Sequence, residues 1–372
     1  MEYDETVYAC AVNRIFNYNC REARILTAHF PSPGELFRLS AAELSGFIRR
    51  RELIEAILDS RYLQEAEEEV RWARAHGIQI LYINDKEYPS RLRECPDAPT
   101  VLFHKGTAGL NPRRAVAIVG TRKATDYGCA QCRKIVEHFA RLDIKPLIIS
   151  GLAYGIDICA HLASLECGLD TVAVLPTGLD SIYPAAHRRH AVRIAGQGAL
   201  VTDFPKGSAP QAVTFLRRNR IIAGMSDAVL LIESAEKGGG LITASLAQSY
   251  SREVFAMPGR ITDGYSSGCN ALIGRNAAEI ITSPSSPADS LGWKILDNKG
   301  DISLFEKIFE NSGYIKRNIL LALSADLTVD RNTLIEKAGG DPADVLPGLT
   351  ELEMDGIVEA DIYGNYRLKT FR

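Results

Sequence analysis

The sequence predicts a doubly wound α/β domain on a mostly parallel sheet, with a small helical domain before it and a second small domain after it. Three observations predict this. From Ala115 onward, seven short runs, AVAIVG, KPLIIS, DTVAVLP, GALVT, DAVLLIE, REVFAMP and AEIIT, are β-branched and nearly continuously apolar, as strands buried on both faces are. The intervening stretches, roughly 10 to 25 residues each, are long enough for crossover helices. Residues 4 to about 75, by contrast, are helical in pattern, with short breaks at FPSPGE and RLSAAEL.

Taken in order, residues 1–76 form a helical domain of the SAM or helix-hairpin-helix kind. Ser40 and Glu43 there have the spacing of a capping box. Residues 77–282 form the α/β domain, entered through a strand-like IQILYI and a proline-punctuated linker, YPSRLRECPDAPTVLF, that leads to Lys105 and Gly106. Residues 283–310, opening on SPSSPADS, read as a linker. Residues 311–372 give three helical patterns, the last two beginning near Thr328 and Asp341, and then two short strands around Gly364 and Asn365. Three helices followed by a hairpin is the winged-helix order. The third helix carries Asp341, Asp344, Glu351, Glu353 and Asp355 without a Lys or Arg, which suits protein contact better than phosphate contact.

Composition narrows the function classes. The chain has 372 residues, 46% apolar and 24% charged, so it is ordinary globular protein. A net charge of −3 and a pI near 6.2 mean that any nucleic-acid site must be local. Such a place exists between Ala186 and Ala223, where Arg188, Arg189, Arg193, Lys206, Arg217, Arg218 and Arg220 stand against Asp203 alone. No run approaches the roughly 18 to 20 apolar residues of a membrane span, and the amino terminus is acidic, so a soluble cytoplasmic protein is expected. Cys129 and Cys132 form a C-x-x-C inside a helical pattern, with no second pair and no histidine at ligand spacing. They read as half-buried thiols, and no metal site is expected.

Ligands of open α/β sheets bind outside the carboxyl ends of the strands, above all where strand order reverses. After the first strand of the domain comes VGTRKATDYG: Gly120 permits close approach, Thr121 offers a hydroxyl, Arg122 a planar fork and Lys123 a second cation. A G-x-G-x-x-G fingerprint would need glycine at Arg122, so no NAD site is expected. After the second strand, Gly151 and Gly155 bracket a turn into a helix whose amides could hold an anion. Asp157 and His161 follow on one helix face, as a dipole-paired carboxylate and its neighbour and not as a catalytic pair. After DAVLLIE, Gly238, Gly239 and Gly240 precede a helix whose first turn holds Thr243, a second anion nest. The P-loop pattern G-x-x-x-x-G-K-[ST] is missing, so ATP hydrolysis has no support and no cofactor is expected.

Together, VGTRKATDYG, SGLAYGIDICAH, LPTGLDSIYP, FLRRNRIIAGMSD, GGGLITASLA and FAMPGRITDGYSSGCNALI resemble, in order, the motifs of the DNA processing protein A (DprA/Smf) family, from about Leu81 to Ile281. The resemblance implies an extended Rossmann-like domain that is not an enzyme. It also implies single-stranded DNA binding, loading of the RecA recombinase during natural transformation, and a homodimer formed through that domain. Carried over, it places Arg122 on a phosphate and Phe215 against a base, with Arg217, Arg218, Asn219 and Arg220 lining the same groove. Such a cationic groove with an aromatic platform is how single strands are held. The chain departs from the usual S-G-S-L-I-T at Gly238 to Thr243, which shifts weight toward Arg188, Arg189 and Lys206. About five phosphate contacts at roughly −0.7 each would give a log-log salt slope of about −3 to −4.

Two rival readings remain. One is a nucleotide-processing enzyme of the lysine-decarboxylase-like (LOG) class, whose P-G-G-x-G-T-x-x-E carries a catalytic acid; here none follows GGGLIT until Glu253. The other is a duplex-DNA regulator acting through the acidic tail. A helical wheel further separates the arginines of FLRRNRIIAGMSD. Arg217 and Arg220 share a face and would touch DNA, while Arg218 falls between Ile222 and Met225, toward the sheet. A cation there needs a buried carboxylate, and Asp157 or Glu233 are the candidates.

Overall fold

The computed structural model describes residues 3–16, 19–295, 309, 312–325, 329–361 and 364–368. The chain divides into two compact units, Met1–Lys294 and Ile295–Arg372.

The first unit is built on nine strands: β1 (Gln79–Tyr82), β2 (Val101–Gly106), β3 (Ala115–Val119), β4 (Leu147–Ser150), β5 (Thr171–Val174), β6 (Ala199–Thr202), β7 (Ala228–Leu231), β8 (Glu253–Ala256) and β9 (Glu279–Ile280). Their order across the sheet is β1-β2-β6-β5-β4-β3-β7-β8-β9. The seven from β3 to β9 are parallel, and β1 and β2 extend the sheet antiparallel beyond β6. β2 corrects the expected linker. Its short VLF run is followed by His104 and Lys105, so local pattern is weak, and non-local pairing with β1 and β6 makes the strand. His104 is buried there with both ring nitrogens engaged, by Gln79 (3.1 Å) and the Ala108 carbonyl (3.1 Å).

Alternation sorts each central strand between two cores. Ala115, Ala117 and Val119 face one, and Val116 and Ile118 face the other. Six helices precede the sheet: α1 (Glu5–Phe16), α2 (Cys20–Thr27), α3 (Pro33–Leu36), α4 (Ala41–Ser45), α5 (Arg51–Leu58) and α6 (Ser60–Ala75). Within it come α7 (Ser90–Arg93), α8 (Asp126–Phe139), α9 (Ile156–Glu166), α10 (Arg188–Gln197), α11 (Ala212–Gly224), α12 (Gly239–Ser249) and α13 (Ser267–Gly274). α8 and α9 cover one face through Ile135, Phe139 and Ala160. α11 and α12 cover the other through Ile221, Ile222 and Ala244. Each fully buried isoleucine contributes about 1.5–3 kcal/mol relative to exposure.

The expected capping box forms at α4, with Ser40 N donating to Glu43 Oε2 (2.8 Å) and Glu43 N to Ser40 Oγ (3.4 Å). The helical segment shares a core with the sheet: Val7, Val70 and Ala73 pack with Val101 and Phe103 of β2. The expected linker also folds at its start. Helix α14 (Ser286–Ser290) buries Pro287 and Ala288, and Ala288 packs with Ile281 and Trp293. Residues 296–308 lie outside the described residues. Cys132 is buried in the core, and Cys129 faces not Cys132 but Cys159 of α9, Sγ to Sγ 2.7 Å. Among the described residues no helix is long and apolar enough to cross a membrane.

The second unit contains α15 (Tyr314–Ala325), β10 (Val329–Asp330), α16 (Arg331–Ala338), α17 (Pro342–Met354), β11 (Val358–Ala360) and β12 (Asn365–Leu368), with sheet order β10-β12-β11. β10 adds a strand to the three helices and hairpin expected. Acids of α17 have local work: Asp341 caps the helix by accepting from Ala343 N, and Glu351 pairs with Lys316 at 2.5 Å.

Candidate nucleic-acid interface

The chain lays down β3 to β6 in one direction and then returns to the other side of β3 for β7, β8 and β9. The loops after β3 and β7 therefore leave neighbouring strands in opposite directions and open a crevice. A cleft of about 560 Å³ lies there, lined by Gly120, Thr121 and Arg122 after β3, Phe215 and Asn219 of α11, and Gly238 to Gly240 after β7. The exposed Arg122 holds its guanidinium over the half-buried Phe215, 4.7 Å from the ring centroid. Tyr183 meets the same ring edge-on at 5.4 Å and 71°. Stacking fixes the fork without using its five donors, and no acceptor for them is found among the described residues. The neighbouring Lys123 is exposed, and its amide donates to Thr121 Oγ1 (3.2 Å).

The nest after β7 is open and the one after β4 is not. The amides of Gly239 and Gly240 stand at the first turn of α12, where N–H groups lack intrahelical acceptors. A Cβ at Gly239 would meet nothing within 4 Å, whereas one at Gly240 would meet Leu231 Cδ1 at 2.5 Å. Thr243 is buried beneath them and lines the cleft. At α9 the protein itself takes the place expected for an anion: Ile156 N donates to the Thr121 carbonyl (3.2 Å) and Ala153 N to Asp157 Oδ2 (3.4 Å). Gly155, at φ +76°, lets Thr121 O approach to 2.1 Å from where a Cβ would sit, and a Cβ on Gly151 would fall 1.4 Å from Arg218 Nη1. Gly120 is likewise filled from the protein side, by Ile156 Cγ1 at 2.6 Å. These three glycines serve packing.

The cations of α11 turn away from the cleft or lie under it. Arg218 is 3% exposed and donates to the Val174 carbonyl (3.1 Å). Burial pulls it down to about 10, with Asp157 opposing, and Asp157 in turn is raised by burial, with Arg218 opposing. Glu233 is not its partner. That carboxylate caps α8, accepting from Thr125 N (2.9 Å) and Thr125 Oγ1 (2.5 Å). Arg220 corrects the expected DNA contact: it is 6% exposed and ion-paired to the buried Asp203, with the Asp97 carbonyl also accepting from it. Arg217 lies over Phe204, 5.7 Å from the centroid. Lys206 sits over Trp72 of α6 (5.4 Å) while its amide donates to Glu69 Oε1 (2.6 Å). Arg188, exposed at the start of α10, does not line the cleft either.

Residues 79–291 match the family model described as DNA recombination-mediator protein A. The chain belongs to this family, DprA/Smf. It is 38% identical to Protein Smf of Synechocystis over 260 residues, 68% of this chain and 64% of that protein. It is 34% identical to Protein Smf of Escherichia coli over 301 residues, 80% of this chain and 79% of that one. The X-ray structure of DNA processing protein A from Streptococcus pneumoniae superposes with a TM-score of 0.65 at 31% identity, covering 77% of this chain and 97% of that one. A DNA processing protein A structure from Helicobacter pylori, described for its single-stranded DNA binding mode, gives 0.52 at 29% identity, covering 57% and 95%.

Within the DprA/Smf span, sequence reasoning missed Tyr183 and the Pro210–Gln211 entry to α11, both of which line the cleft. The signal for Tyr183 was its place in the LPTGLDSIYP motif; that it meets Phe215, at 40% exposure, is decided by the packed chain. Asn219 was singled out and does line the cleft, 9% exposed.

Proposed function

We propose that the switch-point cleft binds single-stranded DNA, and that the chain, as a homodimer, passes that strand to the RecA recombinase. The observation that carries the binding step is the Arg122–Phe215 stack facing the free amides of Gly239 and Gly240. An aromatic plane stacks with a base, the guanidinium and amides donate to the adjoining phosphate, and no base edge needs to be read. Membership of the DprA/Smf family supports the recombinase step. The acidic α17, Pro342–Met354, carries no Lys or Arg to offer a phosphate.

Fluorescence anisotropy of labelled oligo-dT, duplex and mononucleotide, repeated across salt, tests this. Single strands should bind best. Arg122 and Lys123 account for a log-log slope of about −1.4 at roughly −0.7 per contact, shallower than the sequence alone suggests because Arg217, Arg220 and Lys206 face other parts of the chain. Equal affinity for duplex would sink the reading, and preference for the mononucleotide would favour the LOG-like alternative.

A further inference from the structure

On the far side of the β3–α8 loop lies a second cleft, of about 850 Å³, lined by Thr125 and Tyr127 at the start of α8 and by residues 258–260 and 262–266 between β8 and α13. Its outer wall is held in place. Gly259 N donates to Asn270 Oδ1 (3.1 Å) and Asn270 Nδ2 donates back to the Gly259 carbonyl (3.0 Å). Asp263 N bonds the Arg260 carbonyl (3.0 Å) and Ser266 N the Asp263 carbonyl (2.9 Å). Gly259 has no room for a Cβ, which would fall 2.0 Å from Ser266 Oγ. The loop is thus shaped in advance, which spares the ordering cost of binding.

The cleft displays aromatic surface. Tyr127, on its α8 side, is 56% exposed. Tyr265, lining the same cleft, is half-buried. The charge differs from that of the first cleft: Arg260 stands against Asp263 and the buried Glu233. Such a lining repels a run of phosphates and suits bases, whose π-faces stack on aromatic rings without charge. The two clefts share one loop: Thr121 and Arg122 line the first, Thr125 and Tyr127 the second, with the exposed Lys123 between them.

We propose that the second cleft is a base-stacking subsite into which the single strand continues from the Arg122–Phe215 cleft, with Tyr127 and Tyr265 receiving bases as the backbone crosses Lys123. The inference rests on the single-strand reading of the first cleft. It makes the site longer than one cleft, and it makes the two halves differ in kind, one held by charge and stacking, the other by stacking alone.

The test compares full-length wild type with Tyr127→Ala/Tyr265→Ala, Tyr127→Phe and Arg122→Ala, using oligo-dT of about four and about twelve nucleotides, within the range of known single-strand site sizes. Thermal melting checks that each variant is folded. The double alanine variant should bind the longer oligonucleotide roughly tenfold more weakly. It should bind the shorter one unchanged and keep the wild-type salt slope, because stacking releases no counterions. Tyr127→Phe should keep wild-type affinity. Unchanged affinity of a folded double variant for the longer strand overturns the subsite, as does an equal loss for both lengths. A change of oligomeric state without a change in affinity per chain would make this surface a protein interface instead. Arg122→Ala separates the two levels: if it weakens neither oligonucleotide, the first cleft is wrong, whereas a silent tyrosine pair with a damaging Arg122→Ala overturns the subsite alone.

Discussion

Arg220 and Arg122 are the same side chain put to opposite uses. Arg220, in the most basic stretch of the chain, is sealed against Asp203 between α11 and the amino-terminal helices. Arg122, in a loop of ordinary composition, stands exposed over Phe215. Local density of charge therefore did not mark the charged surface. A buried cation that meets a carboxylate or a carbonyl is committed to the fold, whereas Arg122, exposed over an aromatic plane, has no hydrogen-bond acceptor among the described residues.

The comparison is broken most directly from the buried side. Asp203→Ala strands Arg220 without its carboxylate and should cost about 3–5 kcal/mol of stability, read by urea denaturation; a loss under about 1 kcal/mol would mean that Arg220 reaches solvent. The next effect is one of pH. His161 is fully buried with Nδ1 on Thr171 Oγ1 (2.7 Å), and burial, with Arg218 adding to it, lowers its pKa to about 3. Its folded value lies below its unfolded one, so its stabilising contribution is complete above about pH 6.5 and declines as pH falls from there toward about 3. The slope should approach 1.4 kcal/mol per pH unit in that window. His161→Gln should flatten the stability profile there, and an unaltered profile would place the imidazole in contact with water.

From the exposed side, Arg122→Ala should leave stability within about 0.5 kcal/mol and weaken oligo-dT binding at least tenfold, about 1.4 kcal/mol. Anisotropy and melting on one sample decide it. The smallest effect is expected inside the open nest. Gly239→Ala has free space and should shift the melting free energy by less than about 1 kcal/mol, while Gly240→Ala, driven against Leu231, should cost about 1–3 kcal/mol. Similar values for the two would show that the first turn of α12 relaxes, and sharpen which amides remain fixed.

Much of this was legible beforehand where the physics is local. The seven parallel strands announced themselves because burial on both faces leaves continuous apolar runs, and the Ser40–Glu43 box because its two bonds close within one turn. The G-T-R-K loop could be placed at the ligand edge because strand ends follow from strand runs. The helical wheel rightly separated Arg218 from Arg217 and Arg220, since that is a property of one helix. It could not tell which face of α11 would be covered. α1 and α2 come from some two hundred positions earlier in the chain, and their arrival turns the Arg217–Arg220 face inward. β2 escaped for a similar reason, being a strand by virtue of its partners and not its composition.

What the sequence determined by itself, then, is periodicity, turn chemistry and the order of the loops, all set by interactions within a few residues. Tertiary structure alone decided which charges stay in water. It gave Arg220 to Asp203, filled the Gly151–Gly155 turn with Arg218 and Thr121, and left Arg122 exposed over the Phe215 ring. A charge can be buried only where a distant carboxylate or carbonyl meets it, and that meeting is a property of the packed chain.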